Sequence, residues 1–76
     1  MNLSKFPDAL VKLKMLRVER GLTQKKVAES IGISATSYNT KENGKSPFSQ
    51  WEVEDLLDFF GVSYREIFSP LTGSDE

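Results

Sequence analysis

Neither cysteine nor histidine occurs in this chain of 76 residues. The first absence removes disulfides and thiolate metal sites, and the second removes the commonest general base and metal ligand. Carboxylates alone could still hold a hard cation, but no loop repeats them at the spacing of a calcium site, so no metal is expected. No run approaches the length of a membrane span, and the N-terminus lacks the charged-then-apolar layout of a signal peptide. A cytoplasmic protein without membrane contact is the resulting expectation. A glycine-rich phosphate loop and a paired-carboxylate signature are missing too, so the sequence predicts no enzyme, no cofactor and no small-molecule substrate. A chain of this length makes one domain whose core leaves only a few kcal/mol of net stability.

The net charge of −1 conceals a lopsided distribution. Residues 1–45 hold nine basic and four acidic side chains, a net +5, whereas residues 46–76 hold one and seven, a net −6. This division fits one face for a polyanion with another turned away from it, and it equally fits two ordinary solvated surfaces.

Hydrophobic spacing predicts an all-α chain. Pro7 suits the first position of a helix and Asp8 its positive end, and that helix is expected to run to about Arg20 and stop at Gly21. Leu10, Leu13, Leu16 and Arg17 share one of its faces. Val11, Met15 and Val18 lie off that face and exceed what a monomer needs, so either the N-terminal residues or a partner chain is expected to cover them. Thr23 caps a second helix from Gln24 to Ile31, with Val27, Ala28 and Ile31 apolar on one side. Gly32 follows directly, a helix C-terminus signal because glycine accepts the left-handed conformation that a Cβ resists. Ile33 plugs the turn, and Ser34 caps a third helix through Tyr38 to Glu42. Two helices so close in sequence must cross steeply, and Ala28 is small enough to let their backbones approach. Small residue, glycine and apolar residue in that order are what a helix-turn-helix needs.

Further on, Asn43-Gly44-Lys45-Ser46-Pro47 reads as a turn. Ser49 to Glu52 is a capping box opening a helix with Val53, Leu56, Leu57 and Phe60 on one stripe, ended by Gly61. Ser63 to Glu66 repeats the box before a short helix carrying Ile67 and Phe68. Phe48, Trp51 and Phe59 sit at or beyond the margin of the stripe, where each suits extra core, an exposed aromatic or a dimer contact; core or partial burial is the commoner fate, although Phe59 lies beside acidic Asp55 and Asp58.

Val27, Ala28, Ile31, Gly32, Ile33 and Tyr38 are spaced as in the phage-repressor-like bacterial helix-turn-helix family (XRE type), which the chain resembles. Leu16-Arg17, Gly21-Leu22-Thr23-Gln24, Glu42-Asn43-Gly44-Lys45, Phe60-Gly61-Val62-Ser63 and Ile67-Phe68 follow in that family's order, so the resemblance covers about residues 9–68. One position departs: Lys41 stands where the family usually has an apolar residue, leaving the packing of that turn open.

The resemblance implies a compact five-helix bundle with a central helix-turn-helix, over residues 7–69, between an N-terminal arm (1–6) and a disordered C-terminal tail (70–76). It further implies binding to double-stranded DNA, with the helix of residues 34–42 in the major groove. On that helix Tyr38 would face the core, leaving Ala35, Thr36, Asn39 and Thr40 for base edges. Alanine and the threonine methyl can meet a thymine methyl, and asparagine can pair bidentately with adenine. Gln24, Ser34, Ser37, Asn43 and Lys45 are the expected phosphate contacts, Gln24 because it opens a helix whose N-terminus favours anions. Arg17 and Glu42 match positions where the related domains form a largely buried ion pair, which makes Arg17 a structural residue in preference to a phosphate contact.

The implied function is a transcriptional regulator, in the repressor mode, binding a two-fold symmetric operator as a homodimer. A chain this short is then either a compact homodimer or a domain of a longer protein. The alternative is a protein-interaction module, antitoxin-like or antirepressor-like, that keeps the helix-turn-helix shape while its aromatic and acidic half holds a protein partner.

Overall fold

Local signals set the boundaries of five helices in the computed structural model, which describes residues 7–68. They are α1 (Pro7–Glu19), α2 (Gln24–Ser30), α3 (Ala35–Glu42), α4 (Gln50–Phe60) and α5 (Tyr64–Phe68), and the described residues contain no strand. The fold is all-α. The arm at 1–6, one of the two covers expected for Val11, Met15 and Val18, and the tail at 70–76 lie outside the described residues.

Hydroxyl side chains start four of the helices by accepting a first-turn N–H that has no partner within its helix. Thr23 Oγ1 accepts from Lys26 N at 3.0 Å, and Ser34 Oγ from Ser37 N at 3.0 Å. Ser49 and Glu52 exchange such bonds at 3.1 and 2.9 Å, and Ser63 and Glu66 do so at 3.2 and 3.0 Å, so both predicted capping boxes are formed.

The turn between α2 and α3 depends on Gly32 at φ +78. Its N–H donates to Glu29 O at 3.2 Å, and the Ile33 N–H reaches back to Ala28 O at 3.0 Å. These two bonds satisfy the last carbonyls of α2 and turn the chain sharply into α3. Leu22, Lys45 and Val62 make the corresponding long return bond after α1, α3 and α4, to Arg17, Thr40 and Leu57.

One core joins all five helices. Ala9 and Leu13 of α1, Val27 and Ala28 of α2, Tyr38 of α3, Val53, Leu56 and Phe60 of α4 and Ile67 of α5 are buried, together with Ile31 and Phe48 from the connections. Leu10, Leu16, Leu22, Ile33, Leu57, Val62 and Phe68 pack around them, partly buried. The centre of α1's inner face is therefore Ala9 and Leu13, flanked by Leu10 and Leu16. Spacing alone put Leu10, Leu13, Leu16 and Arg17 there and overlooked the small Ala9, and α1 ends at Glu19, one residue before the expected Arg20. Val11, Met15 and Val18 are exposed.

The three marginal aromatics divide. Phe48 is buried, its ring 5.8 Å from that of Tyr38, whereas Phe59 is exposed although edge-on to Phe60, and Trp51 is 74% exposed. The core or partial burial expected of Trp51 does not occur, because in the first turn of α4 it lies on the side opposite Val53 and Leu56.

Candidate nucleic-acid interface

Packing decides which side of α3 is available. Tyr38 is fully buried beside Phe48, and Glu42, four residues on along the same face, is 3% exposed. Ala35, Thr36 and Asn39 are exposed around the rest of the helix, with Ser37 and Thr40 half-buried at its edges. Thr40 turns its hydroxyl to the helix itself, donating to Thr36 O at 3.0 Å. Ser34 is exposed at the helix start, its hydroxyl engaged as the cap, and Asn43 and Lys45 are exposed in the turn after it.

Beneath this surface lies a buried carboxylate with four donors. Glu42 Oε2 accepts from Arg17 Nε and from the Tyr38 hydroxyl, each at 2.9 Å. Its Oε1 accepts from Gln24 Nε2 at 2.8 Å and from a second Arg17 nitrogen at 3.3 Å. Arg17 also donates to Leu22 O at 2.9 Å, so its guanidinium joins the end of α1, the start of the motif and the end of α3. Burial by itself would raise the Glu42 carboxyl, but hydrogen bonds from Arg17, Gln24 and Tyr38 and the charge of Arg17 outweigh it and hold the group below its ordinary value. Hydrogen bonding to Glu42 raises Arg17 in turn, and burial together with the neighbouring carboxylate raises the Tyr38 phenol. Buried charge is costly unless it is paired and fully hydrogen-bonded, and both conditions are met here.

Gln24 does not project freely from the start of α2. Its amide bridges inward to Glu42 and outward to Asn39, whose Nδ2 donates to Gln24 Oε1 at 2.9 Å. The tie between Gln24 and Asn39 was not legible in the sequence, since the two lie fifteen positions apart with no periodic relation. The Tyr38 hydroxyl on Glu42 could have been anticipated, because residues four apart on a helix are neighbours. Lys25 and Lys26 are exposed on α2 beside Gln24.

A profile of the helix-turn-helix domain family matches residues 10–67. This chain belongs to that family. It is 40% identical over 58 residues to the cryptic phage CTXphi transcriptional repressor RstR of Vibrio cholerae, a match covering 76% of this chain and 52% of that protein. It is also 43% identical over 56 residues to a propionyl-CoA carboxylase regulator of Cereibacter sphaeroides, covering 74% of this chain and 12% of the regulator. The chain thus spans about half the length of the first relative and a small part of the second. No solved structure matches it.

In this helix-turn-helix domain, α2 and α3 with their turn form the motif, and α1, α4 and α5 close the core behind it. No helix among the described residues is long and apolar enough to cross a membrane.

Proposed function

We propose that this domain is a sequence-specific double-stranded DNA-binding transcriptional regulator, acting as a repressor by occupying an operator that polymerase would otherwise use. The observation that carries the proposal is the two-sidedness of α3: Tyr38 and Glu42 anchor one side while Ala35, Thr36 and Asn39 stand exposed on the other. Kinship with a phage repressor and a second regulator supports the same reading. In the proposed complex α3 lies in the major groove, with Ala35, Thr36, Asn39 and the Thr40 methyl against base edges. Ser34, Ser37, Asn43 and Lys45 meet phosphates, and the α2 N-terminus at Gln24 approaches the backbone. One such helix reads a few base pairs, so two copies act on half-sites about 34 Å apart. The binding unit is residues 7–69, it carries out no catalysis, and it works in the cytoplasm of a bacterium or a phage-infected host. Selection of bound duplexes from a random library tests this: a two-fold symmetric consensus is expected, and recovery of no preferred sequence would remove the regulator reading.

A protein-binding role is favoured by one observation. Trp51 and Phe59 are exposed on α4 together with Asp55 and Asp58, a surface suited to a protein partner. Titration with non-specific duplex at low salt separates the two roles, since only the DNA binder shows an affinity that weakens as salt rises.

A further inference from the structure

We infer that Gln24 is a positioning residue for base reading, relaying the orientation of the buried Glu42 carboxylate to the Asn39 amide and so fixing which edge of that amide faces the groove. The inference rests on the proposed DNA-binding role and adds a specificity determinant to it. The chain of contacts is Glu42 Oε1 to Gln24 Nε2 at 2.8 Å, then Gln24 Oε1 to Asn39 Nδ2 at 2.9 Å. Its polarity follows from donor and acceptor counts. An ionised carboxylate can only accept, so Gln24 must turn its NH2 towards Glu42 and its carbonyl towards α3. A carbonyl can also only accept, so Asn39 must turn its NH2 towards Gln24.

Each amide is therefore locked in one of its two flipped states, and the lock originates in a group that cannot rotate away. Glu42 is held by Arg17 and Tyr38 as well as by Gln24, and it is 3% exposed. Asn39 itself is exposed, so without the relay its amide would sample both flips. An NH2 group has two protons. One of those on Asn39 goes to Gln24, and the other remains beside Oδ1, forming a donor–acceptor pair of fixed handedness. Adenine presents the complementary pair in the major groove, an N7 acceptor beside an N6 donor. The predicted partner of Asn39 is thus an adenine, read by an amide already ordered before binding, which spares the complex part of its ordering cost.

The alternative for Gln24 is a phosphate contact, which would affect all sequences equally. The test uses the intact chain, wild type and three variants (Gln24→Met, Asn39→Ala and the double), with affinities measured for four duplexes differing only at the base pair whose preference Asn39→Ala abolishes. Gln24→Met should flatten the preference at that same base pair by about tenfold, and the double variant should be no flatter than Asn39→Ala alone. Weakening of all four duplexes by one factor, or an Asn39→Ala variant with every preference intact, overturns the relay and leaves DNA binding standing. A wild type with no preferred duplex sinks the DNA reading and the relay's purpose with it. NMR of the free wild-type protein reads the relay without DNA: one Asn39 side-chain amide proton should exchange slowly with solvent, and equally rapid exchange of both would overturn it.

Discussion

The Lys41 ammonium sits 2.7 Å from Oε1 and 2.8 Å from Oε2 of Glu52, joining the last turn of α3 to the first turn of α4. This is how the domain accommodates a charge where the resemblance led to the expectation of an apolar residue. The two side chains are only 17% and 15% exposed, so the pair is better shielded than a surface salt bridge, which would contribute little. Glu52 has a second duty in the α4 capping box, where it accepts from Ser49 N. Replacing Lys41 by alanine leaves a shielded carboxylate without its main partner and should destabilise the fold by about 1–3 kcal/mol. Glu52→Gln can keep the cap while losing the charge. A double-mutant cycle in urea should give a coupling energy of at least about 0.5 kcal/mol, and purely additive losses would show that the pair contributes nothing.

Acid should unfold the domain through the same carboxylates. Glu42 and Glu52 are both desolvated, which would raise them, yet their hydrogen bonds and the cations Arg17 and Lys41 prevail and hold both below the ordinary 4.5. A carboxyl whose folded value is depressed stabilises the fold fully above its unfolded value, and that contribution is lost as pH falls through the folded value. With no histidine in the chain, the melting temperature should stay nearly level from neutral pH to about pH 5 and then fall. Glu52→Gln should lessen the acid slope. A wild-type melting temperature unchanged down to pH 3 would contradict both depressed carboxyls.

Much of this architecture was readable because its signals are local. Thr23, Ser34, Ser49 and Ser63 each act within three residues of themselves, and Gly21, Gly32 and Gly61 act through backbone conformation alone, so boundaries could be read from single positions. Partner choice across the fold was less legible. Lys41 with Glu52 and Gln24 with Asn39 are pairs set by helix crossing, which sequence spacing does not encode. Trp51 failed for a related reason: its aromatic character favours burial, but the register of α4 gives that side to Val53 and Leu56.

Trp51→Ala should accordingly change stability by less than about 0.5 kcal/mol, as surface substitutions do. Trp51 is the single tryptophan, so its emission should be that of a solvated indole in the folded protein and shift little on unfolding. Emission at short wavelength, or a large loss of stability, would mean that something covers this side chain in solution, and sedimentation analysis would identify a second copy as the cover.

Gly44 should tolerate a side chain poorly for two separable reasons. Its φ is +79, and a Cβ placed there would come 3.2 Å from Leu10 Cδ1 on α1. Backbone strain accounts for about 1–2 kcal/mol of the expected loss in Gly44→Ala. At Gly32 φ is +78 but no atom beyond its chain neighbours lies within 4 Å of the added Cβ, so Gly32→Ala should show the backbone cost alone. Denaturant midpoints of the two variants give the comparison, and a Gly32→Ala loss as large as that of Gly44→Ala would show that Leu10 yields freely.

Salt dependence separates the exposed residues of the proposed interface by role. A side chain that neutralises a phosphate releases counterions for every sequence alike, whereas one that touches a base edge alters the ranking of sequences. Neutralisation of about six or seven phosphates per domain would give a slope of log affinity against log salt of about −5 to −6. Lys45 is exposed in the turn after α3, and Lys45→Ala should weaken all duplexes by a similar factor while making the slope shallower by about 1. Thr36→Ala should leave the slope unchanged and relax preference at one or two base pairs. Because Thr36 accepts the Thr40 hydroxyl through its backbone oxygen, the substitution leaves that bond in place, and a change in specificity can be assigned to the lost side chain. Should Thr36→Ala preserve every base preference while Lys45→Ala changes the ranking of duplexes, the outer side of α3 would not be the reading surface and the turn from Asn43 to Lys45 would have to take its place.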